Sequence, residues 1–413
     1  MRILLVIALA LFFLLGCGKN TQPTPEPVTA TPSVTSAPTL PPSAGAVPSA
    51  SAKPVENPYG FDVLAAIDRG QETLAKGEPA GFQICPVTRS FWTGKGRHRV
   101  KHTVKSDRLC DVATKLAVRN VKDDKIQVIT VRADGTSLPA GYQVSYVPSR
   151  SVNTEFDVTH PPGYLVLAIR RAIPIRDKGP TEVVYTPYSS ELDIPLVRQA
   201  GLDYLWNNVT QAAQRLANAR WRSTCLNSKP EMRKILPGMA LTLAVNEHVD
   251  PDRFTSGVRA QYLLNQTMVT VGANRPLAYR YAVSPTGARG LFQFMPGTYQ
   301  GLTRNYAKTG LITDFVEGTN DHPNAATASF LLFDDILNAF SNDECDSLSD
   351  DQEELGRVLA ASYNYGPGRV RFKMHRYEDW VSHLPEETQT YIAKFETFLG
   401  LLFPPKPENT TNL

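Results

Sequence analysis

The sequence predicts an α+β protein in which a smaller β-rich region precedes a mainly helical one. Two observations carry this reading. Between residues 59 and 189, short runs rich in β-branched and aromatic residues alternate with Gly, Pro and Asp-Gly punctuation, as strands and turns do. From Ser190 onward apolar residues recur every three or four positions, the period of a helix packed on one face.

The first 58 residues belong to neither part. Arg2 gives a positive start, residues 3–15 an apolar core, and Leu14-Leu15-Gly16-Cys17 closes it. The apolar run is short for a bilayer span and meets Gly18-Lys19-Asn20 at once, so residues 1–16 are expected to be a signal peptide. The closing tetrapeptide resembles the lipobox of bacterial lipoproteins, which makes Cys17 the lipid attachment point and a membrane the first partner. Gly18 stands where an Asp would mark inner-membrane retention, which points to an outer membrane facing the periplasm. Residues 20–58 are dominated by Pro, Thr, Ser and Ala without apolar periodicity, so 17–58 reads as a lipidated Cys and a disordered tether. Such a leash reaches on the order of 100 Å. Residues 403–413 read as a disordered tail.

In the region 59–189, strands are expected at Asp124–Val131, Gly141–Val147, Gly163–Ile173 and Thr181–Thr186. Asp134-Gly135, Pro139, Pro148, Pro161-Pro162-Gly163 and Gly179-Pro180 separate them. No motif assigns this region a role; a spacer, a wall-binding module and a dock for cell-envelope protein partners are all open. A basic cluster from Lys95 to His102 follows Phe91-Trp92, and a solvated hairpin face accounts for it better than a contact with anionic polymer or lipid. The net charge of +3 on 413 residues is too small to imply nucleic acid. Beyond Cys17, four cysteines in an exported chain suggest disulfides with three possible pairings. Cys85–Cys110 and Cys225–Cys345 are the pairs expected, with free buried thiols as the alternative. No spacing suggests a metal site or a cofactor.

In the helical region, 190–402, Leu196, Ala200, Leu202, Leu205, Val209, Ala212 and Leu216 mark a helix between Leu192 and Trp221. Leu236, Met239, Ala240, Leu243 and Glu247 form one face of the next, which places a carboxyl at the end of an apolar stripe. Desolvation there raises its pKa, as a general acid working near neutral pH requires. The stretch from Tyr281 to Thr298, YAVSPTGARGLFQFMPGT, is turn chemistry followed by Gln293 among Leu291, Phe292, Phe294 and Met295. A single amide in an apolar aromatic wall suits an N-acetylated sugar.

Four segments in order resemble the soluble-lytic-transglycosylase-type catalytic domain (glycoside hydrolase family 23). They are the Glu247 helix end, the Ala282–Thr298 stretch, ASYNYGPGRV at Ala361–Val370, and LPEETQTYIAK at Leu384–Lys394. The resemblance implies a lysozyme-like fold and cleavage of peptidoglycan glycan strands between N-acetylmuramic acid and N-acetylglucosamine. It makes Glu247 the acid and then the base, with a 1,6-anhydromuramoyl end as product. It places Gln293, Tyr363, Asn364, Glu387 and Tyr391 around substrate. The helix His322–Phe340 is expected to be structural, packing Phe330, Leu331 and Ile336.

Two features depart from the family. His248 follows the acid where Ser is usual, and residues 253–280 look like an insertion beside or over the cleft. A lysozyme-like hydrolase using Asp250 or Asp252 as second carboxylate is one alternative. A non-catalytic peptidoglycan-binding lipoprotein is the other.

Overall fold

The computed structural model describes residues 55–93, 98–132, 138–147, 152–175, 179–221, 223, 225 and 232–404. The signal peptide, Cys17, the tether up to residue 54 and the tail from residue 405 lie outside them.

The described chain opens with α1 (Val63–Lys76), capped by Asp62, whose carboxylate accepts from Ala65 N at 3.0 Å. Eight strands follow: β1 (Phe82–Thr93), β2 (Val100–Val112), β3 (Thr114–Asn120), β4 (Ile126–Val131), β5 (Gln143–Val147), β6 (Glu155–His160), β7 (Tyr164–Ile175) and β8 (Gly179–Tyr185). Four make an antiparallel sheet in the order β4-β3-β7-β8. The pairs β1–β2 and β5–β6 are separate two-stranded ribbons. One face of the sheet packs Ala117, Leu165, Leu167 and Ala168 with Ala66, Ile67 and Leu74 of α1. The other packs Leu116, Val118, Val166 and Ile169 with Phe156 and Val158 of β6. Burial on both faces is why β7 reads as an almost unbroken apolar run.

The four strands expected from sequence are β4, β5, β7 and β8; of the basic cluster, His98 to His102 lie at the start of β2 or just before it, and residues 95–97 lie outside the described residues. The strands β3 and β6 and the helix α1 are additional.

The helical region comprises α2 (Pro195–Asn218), α3 (Met232–Asn246), α4 (Pro251–Thr255), α5 (Ala260–Asn274), α6 (Pro296–Asn305) and α7 (Phe315–Asn320). It continues through α8 (His322–Leu337), α9 (Asn342–Asp350), α10 (Gln352–Tyr365), α11 (Pro367–Arg376) and α12 (Glu386–Leu402). Met239 and Leu243 of α3, Phe330 and Leu331 of α8, Leu355 and Leu359 of α10, and Phe395 and Phe398 of α12 share one core. Phe403, which the sequence placed in the disordered tail, packs against Trp206 with ring centroids 5.8 Å apart. Disulfides join Cys85 to Cys110 and Cys225 to Cys345, the latter closing 120 residues.

The apparent insertion 253–280 is largely the core helix α5, buried at Leu263, Leu264 and every residue from Thr267 to Asn274. It crosses α2 at two glycines. A Cβ on Gly201 would lie 2.0 Å from Met268 O, and one on Gly272 2.1 Å from Val197 O, so the backbones touch. Val269 and Ala273 of α5 share a core with Val63, Ile67, Leu165, Leu167 and Val197, which makes the β-rich and helical parts continuous. At the end of α5, Asn274 accepts from Thr186 N at 2.8 Å and donates to Thr186 O at 2.7 Å. This amide supplies the backbone partners that the chain leaving β8 would otherwise lack.

Gly272→Ala is therefore expected to destabilise the fold by about 1–3 kcal/mol through forced separation of two helices. A shift of the denaturation midpoint measures it. An unchanged midpoint would show that α2 and α5 separate without cost.

Candidate active site

Glu247 is the residue after α3, its N–H still donating to Leu243 O at 3.1 Å, so its side chain continues the helix face that ends there. Three groups from α12 and α3 close around it. The hydroxyl of Tyr391 donates to Glu247 Oε1. Asn246 Nδ2 donates to the carbonyl of Tyr391 at 3.2 Å, and Lys394 Nζ donates to Val249 O at 2.6 Å. Thr388, Tyr391 and Lys394 recur at three-residue spacing and are all buried, the inward face of α12.

Burial pushes the carboxyl of Glu247 up to about 7, against the Tyr391 hydrogen bond and the positive charge of Lys394, which both favour ionisation. Lys394 is itself pushed down to about 8 by burial, opposed by Glu247 and Asp250. Tyr391 and Tyr363 are driven well above the usual tyrosine range, first by burial and then by the charge of Glu247. The site thus holds a carboxyl that exchanges a proton near neutral pH beside a tyrosine that stays protonated.

The loop between Ala282 and Met295 faces this group through carbonyls that are each given a donor. Gly290 N and Gln293 Nε2 donate to Ala282 O at 3.1 and 3.4 Å, and Gln293 Nε2 also donates to Gly290 O at 2.8 Å. His248 Nε2 lies 2.9 Å from Leu291 O, and the Tyr363 hydroxyl donates to Phe292 O. The amide of Gln293 is oriented by two carbonyls, which leaves Oε1 as its acceptor. Gly290 is at φ +77, and a Cβ there would meet Thr319 O at 2.3 Å. Gln293 itself takes φ +46, a left-handed conformation of the kind that concentrates at functional sites.

His248 answers the first departure. Its ring stacks on Tyr279 with centroids 3.4 Å apart, and burial lowers its pKa to about 3. With a carbonyl as partner, a neutral imidazole must carry its proton on Nε2. It therefore ties the end of α3 to the loop and is not a proton donor to chemistry. Tyr279, at φ +55, is held from the β-rich region: its N–H donates to the hydroxyl of Tyr185 at 3.2 Å. A cavity of about 460 Å³ lies at this junction, lined by Asn153, Ile173, Ile175, Tyr185, Tyr281 and Ser284 among others. A second of about 280 Å³ adjoins His248, Val249 and Asp250 and is walled by Gln266 and Thr270 of α5.

The remaining predicted residues divide. Asn364 is exposed at the end of α10 and accepts from Thr388 Oγ1 at 2.7 Å, leaving its Nδ2 to donate. Glu387 is exposed on the first turn of α12, four residues before Tyr391 on the same face. Phe292 and Phe294, beside Gln293, are buried core residues with 1% exposure, and Tyr365 is half-buried. Asp250 caps α4, accepting from Asp252 N at 2.8 Å, and Asp252 is exposed. Sequence reasoning missed Asn246, Tyr279 and Lys394. Lys394 had a visible signal, one helical turn past Tyr391, whereas the other two depend on contacts distant in sequence.

Residues 278–380 match the family described as the transglycosylase SLT domain. No curated protein and no solved structure matches the chain. The matched segment begins after Glu247 and ends before Tyr391. This part of the chain is a lysozyme-like lytic transglycosylase domain, an enzyme type that cleaves peptidoglycan.

A pH profile tests the acid. With Glu247 as the proton donor, activity on peptidoglycan is expected to fall as pH rises through about 7, where its carboxyl ionises. Tyr391→Phe removes a bond to the ionised form, so it should move that limb to higher pH while lowering the rate by about 10-fold or more. An unmoved limb would assign the titration to another group. Stability follows the same shift: the contribution of Glu247 is full below its ordinary 4.5 and lost as pH rises through about 7. Glu247→Gln should then raise the melting temperature at pH 8 relative to its effect at pH 4.

Proposed function

We propose that the protein is a lytic transglycosylase that cleaves the β-1,4 bond between N-acetylmuramic acid and N-acetylglucosamine and leaves 1,6-anhydromuramoyl ends. The observation that carries this is one carboxyl, Glu247, pushed up to about 7 and joined to Tyr391. Protonated Glu247 gives its proton to the glycosidic oxygen as the C1–O bond breaks and the N-acetylglucosamine hydroxyl leaves. The resulting carboxylate takes the proton of the muramoyl C6 hydroxyl, and that oxygen bonds to C1. The carboxyl ends as it began, and no water is consumed. A pKa near 7 suits both halves, since a group that must give and then take a proton does best poised between the two.

The hydroxyl of Tyr391 stabilises the carboxylate formed midway. Gln293 Oε1 accepts from the N-acetyl or peptide N–H of the glycan. Asn364 Nδ2 and Tyr363 line the cleft near the acid, and Glu387 positions substrate at the outer turn of α12. The cap that Asp250 supplies to α4 favours a single-carboxylate reaction over hydrolysis with a second base. Attachment through Cys17 to an outer membrane, with the tether of 17–58 facing the periplasm, would let this domain reach the polymer above the bilayer.

Mass spectrometry of products from purified peptidoglycan tests the reaction. The chain is expected to release anhydromuramoyl fragments, and Glu247→Gln to lower their formation by about 10²–10⁴-fold with the fold intact. Reducing-end products would instead assign a hydrolase. Binding without turnover, indifferent to Glu247→Gln, would assign a wall-binding protein.

A further inference from the structure

The β1–β2 ribbon is a sheet of two strands whose residues are mostly exposed on both faces. An isolated two-stranded ribbon is marginal in water, and here the Cys85–Cys110 disulfide cross-links it. It buries little of its apolar content: Phe91 is 49% exposed, Trp92 57%, Val100 55% and Val104 47%. Its described residues carry Arg89, Arg99, Lys101, Lys105 and Arg108 against Asp107 and Asp111, a net +3 that equals the formal charge of the whole chain. Asp111 is held by Arg132. None of the five cations has an ion-pair partner among the described residues, whereas Arg170 is joined to Glu182 and Arg357 to three glutamates.

The register arranges these groups. Arg89 faces Val104, Phe91 faces His102 and Thr93 faces Val100, so one side sets rings and aliphatic residues beside Arg89. On the other side Trp92 faces Lys101 and Thr88 faces Lys105. Arg99 sits 5.8 Å from the centroid of Trp92, and Phe91 stacks on His102 at 5.4 Å. Exposed rings flanked by cations that have no ion-pair partner among the described residues run over a length of twelve residues.

We propose that this ribbon is a second contact for the polymeric substrate, a surface outside the cleft that binds the peptidoglycan strand and the carboxylates of its peptide stems. This rests on the reading that the protein acts on peptidoglycan. Lys and Arg meet the carboxylates, and the ring edges cover sugar and acyl groups. Each contact is weak in water, but joining it to the cleft raises the effective concentration of the next bond to be cut. Cations stand beside the rings on both faces, so neither face enters hydrocarbon without burying charge, which favours a hydrated polyanion over a bilayer.

The test uses the polypeptide from residue 18 onward, which keeps the whole described structure, carrying Glu247→Gln so that the wall is not digested. Its co-sedimentation with purified sacculi is compared with that of the same chain bearing Arg99→Gln, Lys101→Gln and Lys105→Gln. The charge variant is expected to be retained about tenfold less at low salt, with the difference lost near 1 M salt, where the Debye length is about 3 Å. In the chain with Glu247 intact, the same three changes should leave turnover of short soluble glycan fragments unchanged. Equal retention of parent and variant would overturn the proposal. So would ribbon-dependent sedimentation with anionic phospholipid vesicles alongside ribbon-independent retention on sacculi, which would assign the surface to a membrane. Failure of the catalytic reading looks different: sacculi left uncut by the intact chain, with ribbon-dependent retention preserved, would support the ribbon and remove the enzyme.

Discussion

The structure turns on a carboxyl taken out of water at the end of a helix. Leaving Glu247 ionised and unpartnered there would cost several kcal/mol, so the surroundings must either neutralise it or supply donors. They do some of each. Burial favours the protonated form, while Tyr391 and Lys394 hold the ionised form within reach. Both come from α12, some 144 residues further along the chain, and α12 is docked by Asn246 and Val249 on either side of the acid. The clasp that makes the carboxyl chemically useful is thus also what joins the last helix to α3.

A second set of contacts fixes where the loop between Ala282 and Met295 lies relative to that carboxyl. Tyr185 at the end of β8 holds Tyr279, Tyr279 stacks on His248, and His248 bonds the carbonyl of Leu291 two residues before Gln293. Tyr279 and Gln293 both sit at positive φ, conformations that cost free energy and persist where surrounding contacts determine them. The β-rich region is therefore part of the support of the site, through α5 and the Asn274–Thr186 amide contacts. His248 in place of a serine is consistent with this. A longer, planar side chain reaches both a ring above and a carbonyl beside it, which a hydroxyl cannot do.

Much of the helical part was legible because its information is local. The apolar stripe ending in Glu247 places the acid, and the turn chemistry around Gly287 and Gly290 places the loop. Each shows in a window of fewer than twenty residues. The strands β4, β5, β7 and β8 were legible for the same reason. β6 was not, since EFDVTH alternates polar and apolar residues over only six positions beside a Pro-Pro-Gly turn. The segment 253–280 was read as an insertion because it departs from the spacing of a motif set. Its Leu263, Leu264, Met268 and Val271 nonetheless fill the main core.

The sequence by itself determined the α+β division, the helix that carries Glu247 and the order of the motifs. These rest on periodicity, turn chemistry and short-range spacing, which the chain expresses before it folds. Only the tertiary structure decided which cysteines pair, that Phe292 and Phe294 are core residues, that Asn246 and Lys394 hold α12 beside Glu247, that Tyr279 stacks on His248, and that His248 is a neutral strut. A side chain's burial, its partner and its proton affinity depend on what the rest of the chain brings against it, and those neighbours lie far away in sequence.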